Sequence, residues 1–284
     1  MSDDVKPTEY IDSSTIGTVI HAVFEDFFAP LKEVRIVPEN IEKRINPAQI
    51  RSLVATKIDK TFYRGRYSDA LDNLPGEAGI LTEVLSNKIV EALKNESKLR
   101  TEDFIYVDGE VRPDAPDETV DWTLTPDLSI RFTYSIDRID RFDDGSLRFI
   151  DYKSGGDSLK VSSIDVIFGT DKEKPAGAIF QILAYANVYA DTHPSVKDIT
   201  PEIFKVFDSA KSIGETLKIG ENRKVSLNIS SFKDIPDFKE RLAERLRPLF
   251  DDSTPIIQTS NHQNCTYCQF NSFCNRLDAD DKKW

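Results

Sequence analysis

An α/β fold built on a mixed β-sheet is what this chain predicts, and three observations carry the prediction. Helical and strand-like patterns follow one another in the order helix, strands, helix, strand, helix, which wraps helices around a sheet. Two neighbouring segments, 128–142 and 147–153, place apolar residues at alternate positions and are joined by the turn Asp143-Asp144-Gly145, a hairpin signature. A third segment, 176–190, is helical in pattern and apolar on most of its faces, as befits a helix buried against a sheet. At 284 residues the chain is long enough to bury a core without disulfide or metal staples.

In order along the chain, 15–28 sets Ile16, Ile20, Val23, Phe24 and Phe27 at helical spacing, and Pro30 ends that helix. Segments 46–60 and 79–95 read as two more helices, the second carrying Ile80, Val84, Leu85, Ile89 and Leu93. Residues 104–107 open a strand-rich region. The stretch 108–121 is dominated by Pro and Asp and reads as a solvated acidic loop. Past the hairpin, Gly155-Gly156 is a stop, followed by the apolar helix and short strands at 203–207 and 224–229. A basic amphipathic helix spans 238–250. The expected organisation is an N-terminal helical region 1–100, a sheet-bearing core 101–250 and a cysteine segment 251–284, within one structural domain.

Lys and Arg number 37 against 49 Asp and Glu, a formal net charge of −12. That balance excludes a protein that coats nucleic acid through a generally basic surface. The acidity is local, because residues 101–151 hold 14 acidic and 5 basic side chains whereas 201–250 hold 8 and 10. No run approaches the ~20 apolar residues of a membrane span, and the acidic start Met1-Ser2-Asp3-Asp4 is unlike a signal peptide. A cytoplasmic location and no membrane partner are the expectation. Cys265, Cys268 and Cys274 fall within ten residues; such an odd, clustered set reads as part of a metal site rather than a disulfide framework.

With a period of two, Leu147, Phe149, Asp151 and Lys153 share one face of the second hairpin strand. Asp151 and Lys153 therefore point the same way at the strand's end, with Asp137 across the turn on the strand before. Carboxylate oxygens suit Mg2+ or Mn2+, and an ammonium beside them offsets charge that develops on a phosphoryl group. Taken alone, Asp-x-Lys is more often a cross-strand ion pair.

The company it keeps changes the reading. Ser135-Ile136-Asp137-Arg138-Ile139-Asp140-Arg141, followed by Asp151-Tyr152-Lys153-Ser154-Gly155, resembles the G-x-(I/V)-D-R-(I/V)-D and D-Y-K-(T/S)-G signature of RecB-like nucleases in the PD-(D/E)XK superfamily. Gly17, His21 and Glu25 resemble that family's G-x-x-x-H-x-x-x-E helix, and Gln181 with Tyr185 its Q-x-x-x-Y helix. Cys265-x2-Cys268-x5-Cys274 is similar to the C-terminal cysteines of the AddB type. The resemblance covers roughly Gly17 to Arg276, with Ser135 standing where the signature has Gly.

The resemblance implies a restriction-endonuclease-like core, a central mixed sheet flanked by helices, with added N-terminal helices. It implies a Mg2+- or Mn2+-dependent exonuclease that hydrolyses DNA phosphodiesters in break repair, beside a helicase–nuclease partner subunit. His21, Asp137, Asp151 and the backbone carbonyl of Tyr152 would bind the metal, and Lys153 would position the attacking water. Glu110 would be the acid from an earlier strand, with Asp108 as its rival, and Gln181 and Tyr185 would contact DNA. Further hold on DNA would come from Lys239, Arg241, Arg245 and Arg247. The cysteines would share a [4Fe–4S] cluster with one upstream cysteine. A Cys3His zinc site with His262 and three unliganded thiols stay open beside it. The missing fourth cysteine leads us to expect that these residues are the C-terminal piece of a longer protein. No G-x-x-x-x-G-K-(S/T) loop occurs, so no helicase motor of that type is in the chain. The alternative function is a nuclease-fold module that binds DNA or protein without cutting.

Overall fold

The computed structural model describes residues 11–155, 159–169, 176–210, 213–214, 217–220, 227–255, 257–259, 262–265 and 268–276. Helix α1 (Ser13–Phe28) begins where the Asp12 carboxylate accepts the Thr15 N–H at 2.7 Å, satisfying one of the amides that a helix start leaves open. It buries Val19, Ile20, Val23, Phe24 and Phe28 on one side. Strand β1 (Arg35–Ile36) and the short helix α2 (Glu39–Arg44) lead to α3 (Pro47–Ile58), capped by the Asn46 side chain. A π turn, Asp59–Tyr63, prolongs α3. Helix α4 (Gly76–Leu99) then returns the chain to the sheet.

Strands β2 (Phe104–Val111), β3 (Val120–Thr125), β4 (Leu128–Phe132), β5 (Ile136–Arg141) and β6 (Leu147–Lys153) follow. After them come β7 (Lys160–Val161), α5 (Ile164–Ile167), α6 (Gly177–Thr192), β8 (Ile199–Lys205), β9 (Leu217–Ile219), β10 (Leu227–Ile229) and α7 (Phe238–Phe250). The central sheet runs β1-β2-β5-β6-β8, antiparallel as far as β6 and parallel between β6 and β8. The parallel pair requires a crossover, which α6 supplies. Apolar clusters lie on both sides of this sheet. Tyr106, Ile150, Tyr152 and Phe204 pack with α1, α3 and α4, while Ile139, Phe149 and Ile203 pack with α6. This is the mixed, helix-flanked α/β architecture that the sequence predicts. No helix among the described residues is long and apolar enough to cross a membrane.

Three local expectations are corrected. The single strand 128–142 is two strands in different sheets, β4 pairing β3 and β5 pairing β2 and β6. Between them Tyr134 turns inward against Tyr185 and Tyr189, each ring 6.2 Å away, which breaks the ladder. The acidic loop is shorter than expected, because β2 continues through Val111 and β3 starts at Val120. Strand β8 begins at Ile199 rather than 203. Pro201 is tolerated there because β8 is an edge strand, where a missing N–H costs no ladder bond. The expected strand 224–229 is described only from Leu227; 224–226 lie outside the described residues.

Candidate active site

Strands β5 and β6 pair from Arg141↔Leu147 to Arg138↔Ile150 and then part. The Asp137 carboxylate, rather than a backbone carbonyl, accepts the Tyr152 N–H at 2.7 Å. The splay opens one face of the sheet end, where Asp137, Asp151 and Lys153 lie, and leaves Arg138 and Tyr152 on the other.

Strand β2 delivers Glu110. Its register against β5 shifts between Tyr106 and Asp108, a bulge that re-aims the strand. Glu110 itself is left-handed at φ 49°, uncommon for a residue with a side chain. The Ser135 hydroxyl donates to its carboxylate at 2.9 Å. Gly109 permits the close approach, since a Cβ there would sit 2.8 Å from the Tyr106 hydroxyl and 3.2 Å from the Asp137 carbonyl oxygen.

Helix α1 delivers His21, whose Nε2 lies 2.8 Å from the Tyr152 carbonyl oxygen. A carbonyl only accepts, so Nε2 carries the proton and Nδ1 faces the carboxylates, 3.3 Å from Asp137 and 3.9 Å from Glu110. One ligand atom each of His21, Glu110 and Asp137 fall within 4.8 Å of one another.

On β6, Lys153 Nζ donates to Asp151 Oδ1 at 3.0 Å and lies 2.9 Å from Oδ2. Only the first contact is aligned as a hydrogen bond, so buried Oδ2 has no hydrogen-bond donor. Lys153 also donates to Gln181 at 3.2 Å, and the Gln181 amide donates to the Tyr185 hydroxyl at 3.0 Å. Burial first, then the charge of Asp137, pushes the Asp151 carboxyl up to about 7 against the pull of Lys153. For His21, burial works to lower the pKa, yet the hydrogen bond and charge of Asp137, with the Tyr152 carbonyl and Asp151, raise it to about 8. Asp137 contributes to both shifts, but burial leads the rise of Asp151 and opposes that of His21. A buried carboxylate oxygen without a hydrogen-bond donor, two further carboxylates and an imidazole that faces them form a donor set that fits a divalent cation of the Mg2+ or Mn2+ type.

The structure thus brings His21, Glu110 and Asp137 together and sets Asp151 and Lys153 beside them. Asp108, the rival of Glu110, is turned to Lys32 instead. One lone pair of the Tyr152 carbonyl is taken by His21. Gln181 and Tyr185 form a chain leading to Lys153. Lys239, Arg241 and Arg247 each face an aspartate, so α7 presents less free positive charge than its sequence suggests. Cys265 is buried, Cys268 and Cys274 are partly exposed, and all three are free thiols. Among the described residues, no three of these cysteines and His262 bring ligand atoms within 4.8 Å, and His262 is engaged by Arg276. This arrangement lends the zinc alternative no support.

Sequence reasoning missed the opposite face. There Arg138 bonds Asp140 at 2.8 and 3.0 Å, Glu96 at 3.0 Å and the Tyr152 hydroxyl at 3.2 Å. Arg148 adds 2.6 Å to Asp140, and Arg100 binds Glu96 at 2.7 Å and Glu202 at 3.1 Å. A signal existed: Arg138 and Asp140 alternate within β5, so period two puts both on the face opposite Asp137.

A mixed sheet whose splayed strands and covering helix bring carboxylates, a lysine and a histidine together presents a candidate site for a divalent cation. The chain matches the PD-(D/E)XK nuclease superfamily over residues 2–275, nearly its whole length, and belongs to that superfamily. Its core is thus restriction-endonuclease-like, and the superfamily is one of nucleases that typically use divalent metals. Among curated proteins, none matches the chain.

Proposed function

We propose that the chain is a Mg2+- or Mn2+-dependent deoxyribonuclease. The observation that carries the reading is the convergence of His21, Glu110 and Asp137 within 4.8 Å beside the Asp151–Lys153 pair. His21 Nδ1 and the carboxylates of Glu110, Asp137 and Asp151 would hold the cation, with the Tyr152 carbonyl as a further donor. The bound cation supplies positive charge at the phosphoryl oxygens and acidifies water. Lys153, held by Asp151 and Gln181, orients the water that attacks phosphorus and offsets the charge that builds as the leaving oxygen departs. Gln181 and Tyr185, half-buried at the border of the site, would meet the DNA strand.

The finer reading is an exonuclease of the cytoplasm, acting in DNA-break repair with a helicase–nuclease partner. The AddB-like order of the His21 helix, the Gln181–Tyr185 helix and the cysteines supports it. A [4Fe–4S] cluster belongs to this reading only where a longer chain supplies a fourth thiolate, which the three cysteines of this sequence cannot. The test is to incubate linear and circular DNA, duplex and single-stranded, with the purified chain and Mg2+ or Mn2+. Digestion of linear forms alone is expected. Cutting of circular DNA would overturn the exonuclease reading, and no cutting with metal bound would leave a binding module.

A further inference from the structure

In a chain of net charge −12, cations without acidic partners stand out, and the turn that leaves α3 carries three of them. Lys60, Arg64 and Arg66 are all exposed, and among the described residues none forms an ion pair. Asp59, at the root of the turn, is buried with its carboxylate on the Tyr67 N–H at 2.9 Å. Glu77 adds to burial and Tyr67 in raising the Tyr63 phenol, yet pairs with none of the three cations.

The turn is ordered by its own bonds. The N–H groups of Arg64 and Gly65 both donate to the Asp59 carbonyl. The Tyr63 ring meets Phe62 and Tyr67 edge to face, each at 4.9 Å. Arg64 is left-handed at φ 57°, which costs a non-glycine residue about 1 kcal/mol or more. A long cationic side chain held where glycine would be unstrained points to a use for that side chain. The π turn that opens this segment packs against α1, the helix that carries His21.

We propose that Lys60, Arg64 and Arg66 bind backbone phosphates of the DNA strand led to the site, an inference that rests on the nuclease reading above. Guanidinium forks match phosphate oxygens in pairs, and such contacts set position without reading sequence. Because the turn is already ordered, little entropy opposes binding.

The test uses the full chain carrying Lys153→Ala with Mg2+, so that DNA is held and not consumed. Fluorescence anisotropy with a labelled linear duplex, and with a labelled single strand, follows affinity across salt concentrations. Replacing Lys60, Arg64 and Arg66 together by Gln is expected to weaken binding on the order of 10- to 100-fold near 0.1 M salt. The slope of log affinity on log salt should fall by about 2–3. Replacing Lys239, Arg241 and Arg247 by Gln, whose cations already face aspartates, should change the slope by less than about 1. Arg64→Gly removes one cation while relaxing the left-handed backbone, so it folds at least as well and should still lower the slope by about 1. Whichever DNA loses more affinity is the form that crosses the turn. Cutting is read in parallel on the unmutated chain. Cutting with the triple variant's slope unchanged overturns the phosphate site alone. A lowered slope without cutting overturns the hydrolytic reading alone, and no binding by any form overturns both.

Discussion

On one face of β5 and β6 lie Asp137, Asp151 and Lys153; on the other, at the alternate positions of the same strands, lie Arg138, Asp140 and Arg148. The second set is almost wholly buried, with Arg138 and Asp140 1% and 0% exposed, yet nearly every charge is answered. Burial works to raise Asp140 and Glu96, but the guanidinium groups of Arg138, Arg148 and Arg100 outweigh it and hold both carboxyls below the usual range. The Arg138 guanidinium also lies 3.9 Å from the centre of the Phe28 ring, a cation–π contact. The first set is less buried and less satisfied, and Asp151 is pushed up where Asp140 is pulled down. The difference teaches how to tell a structural ion network from a reactive one. What separates them is whether counter-charges balance within the chain, rather than the residue types.

The same substitution on the two faces should break the comparison most sharply. Asp151→Asn is expected to slow DNA cleavage on the order of 1000-fold or more, since it removes both a proposed cation ligand and the partner of Lys153. At pH 8 it should also raise the melting temperature of the metal-free protein by about 2–4 °C, because a charged carboxylate buried beside Asp137 gives way to a neutral amide, a gain of about 1 kcal/mol. Asp140→Asn should do the reverse, destabilising the fold by about 3–5 kcal/mol because Arg138 and Arg148 lose their shared buried carboxylate. Thermal unfolding of the two variants beside a nuclease assay measures both. An Asp151→Asn protein that melts lower than its parent, or cuts at the parental rate, would remove the distinction.

How much of this was legible beforehand depends on the range of the interaction. Period-two alternation placed Asp151 and Lys153 on one face because that rule is local, and β6 runs over the residues expected, Leu147–Lys153. The splay at Asp137 is not local, since it depends on a side chain taking the Tyr152 N–H that a neighbouring strand would otherwise bind. The choice of Glu110 over Asp108 rests on a bulge in β2 and a left-handed residue, neither of which has a sequence signal beyond Gly109. The buried network was half legible: Arg138 and Asp140 alternate correctly, but Glu96 and Glu202 reach them from α4 and β8. The neutralisation of α7 was legible only at Arg241, whose i,i+4 partner Asp237 is local; Asp127, Asp165 and Asp191 come to it through the tertiary fold.

Proton binding gives a gentler probe of the unbalanced face. A folded pKa of about 8 for His21, against an ordinary 6.5, means that its protonated form stabilises the metal-free fold. By linkage that contribution, on the order of 2 kcal/mol, is fully present below about pH 6.5 and lost as pH rises through 8. Asp151 acts in the same direction, because a carboxyl raised from 3.8 to about 7 disfavours the fold increasingly as pH climbs between those values. The metal-free protein should therefore melt higher at pH 6 than at pH 9. A cation needs neutral His21 and ionised Asp151, so the rise in melting temperature produced by Mg2+ should be larger at pH 8.5 than at pH 6. Equal Mg2+ shifts at the two pH values would show that these groups do not face the metal.

The smallest effect is expected at the residue that belongs to both faces. Tyr152 gives its N–H to Asp137 and its carbonyl to His21, while its hydroxyl accepts from Arg138 and its ring stacks on Phe24 at 4.3 Å. Tyr152→Phe keeps the backbone and the stacked ring and deletes only the bond to Arg138, which still holds Glu96 and Asp140. The cost should be about 1 kcal/mol of stability, read as a fall of about 2–4 °C in melting temperature. The cleavage rate should stay within about threefold of the parent's, because the site uses the main chain of this residue and the network uses its side chain. A tenfold loss of rate, equivalent to about 1.4 kcal/mol of barrier, at an unchanged melting temperature would mean something different. The buried network would then hold Asp137 and His21 in place through the Tyr152 backbone, and the two faces would be one machine.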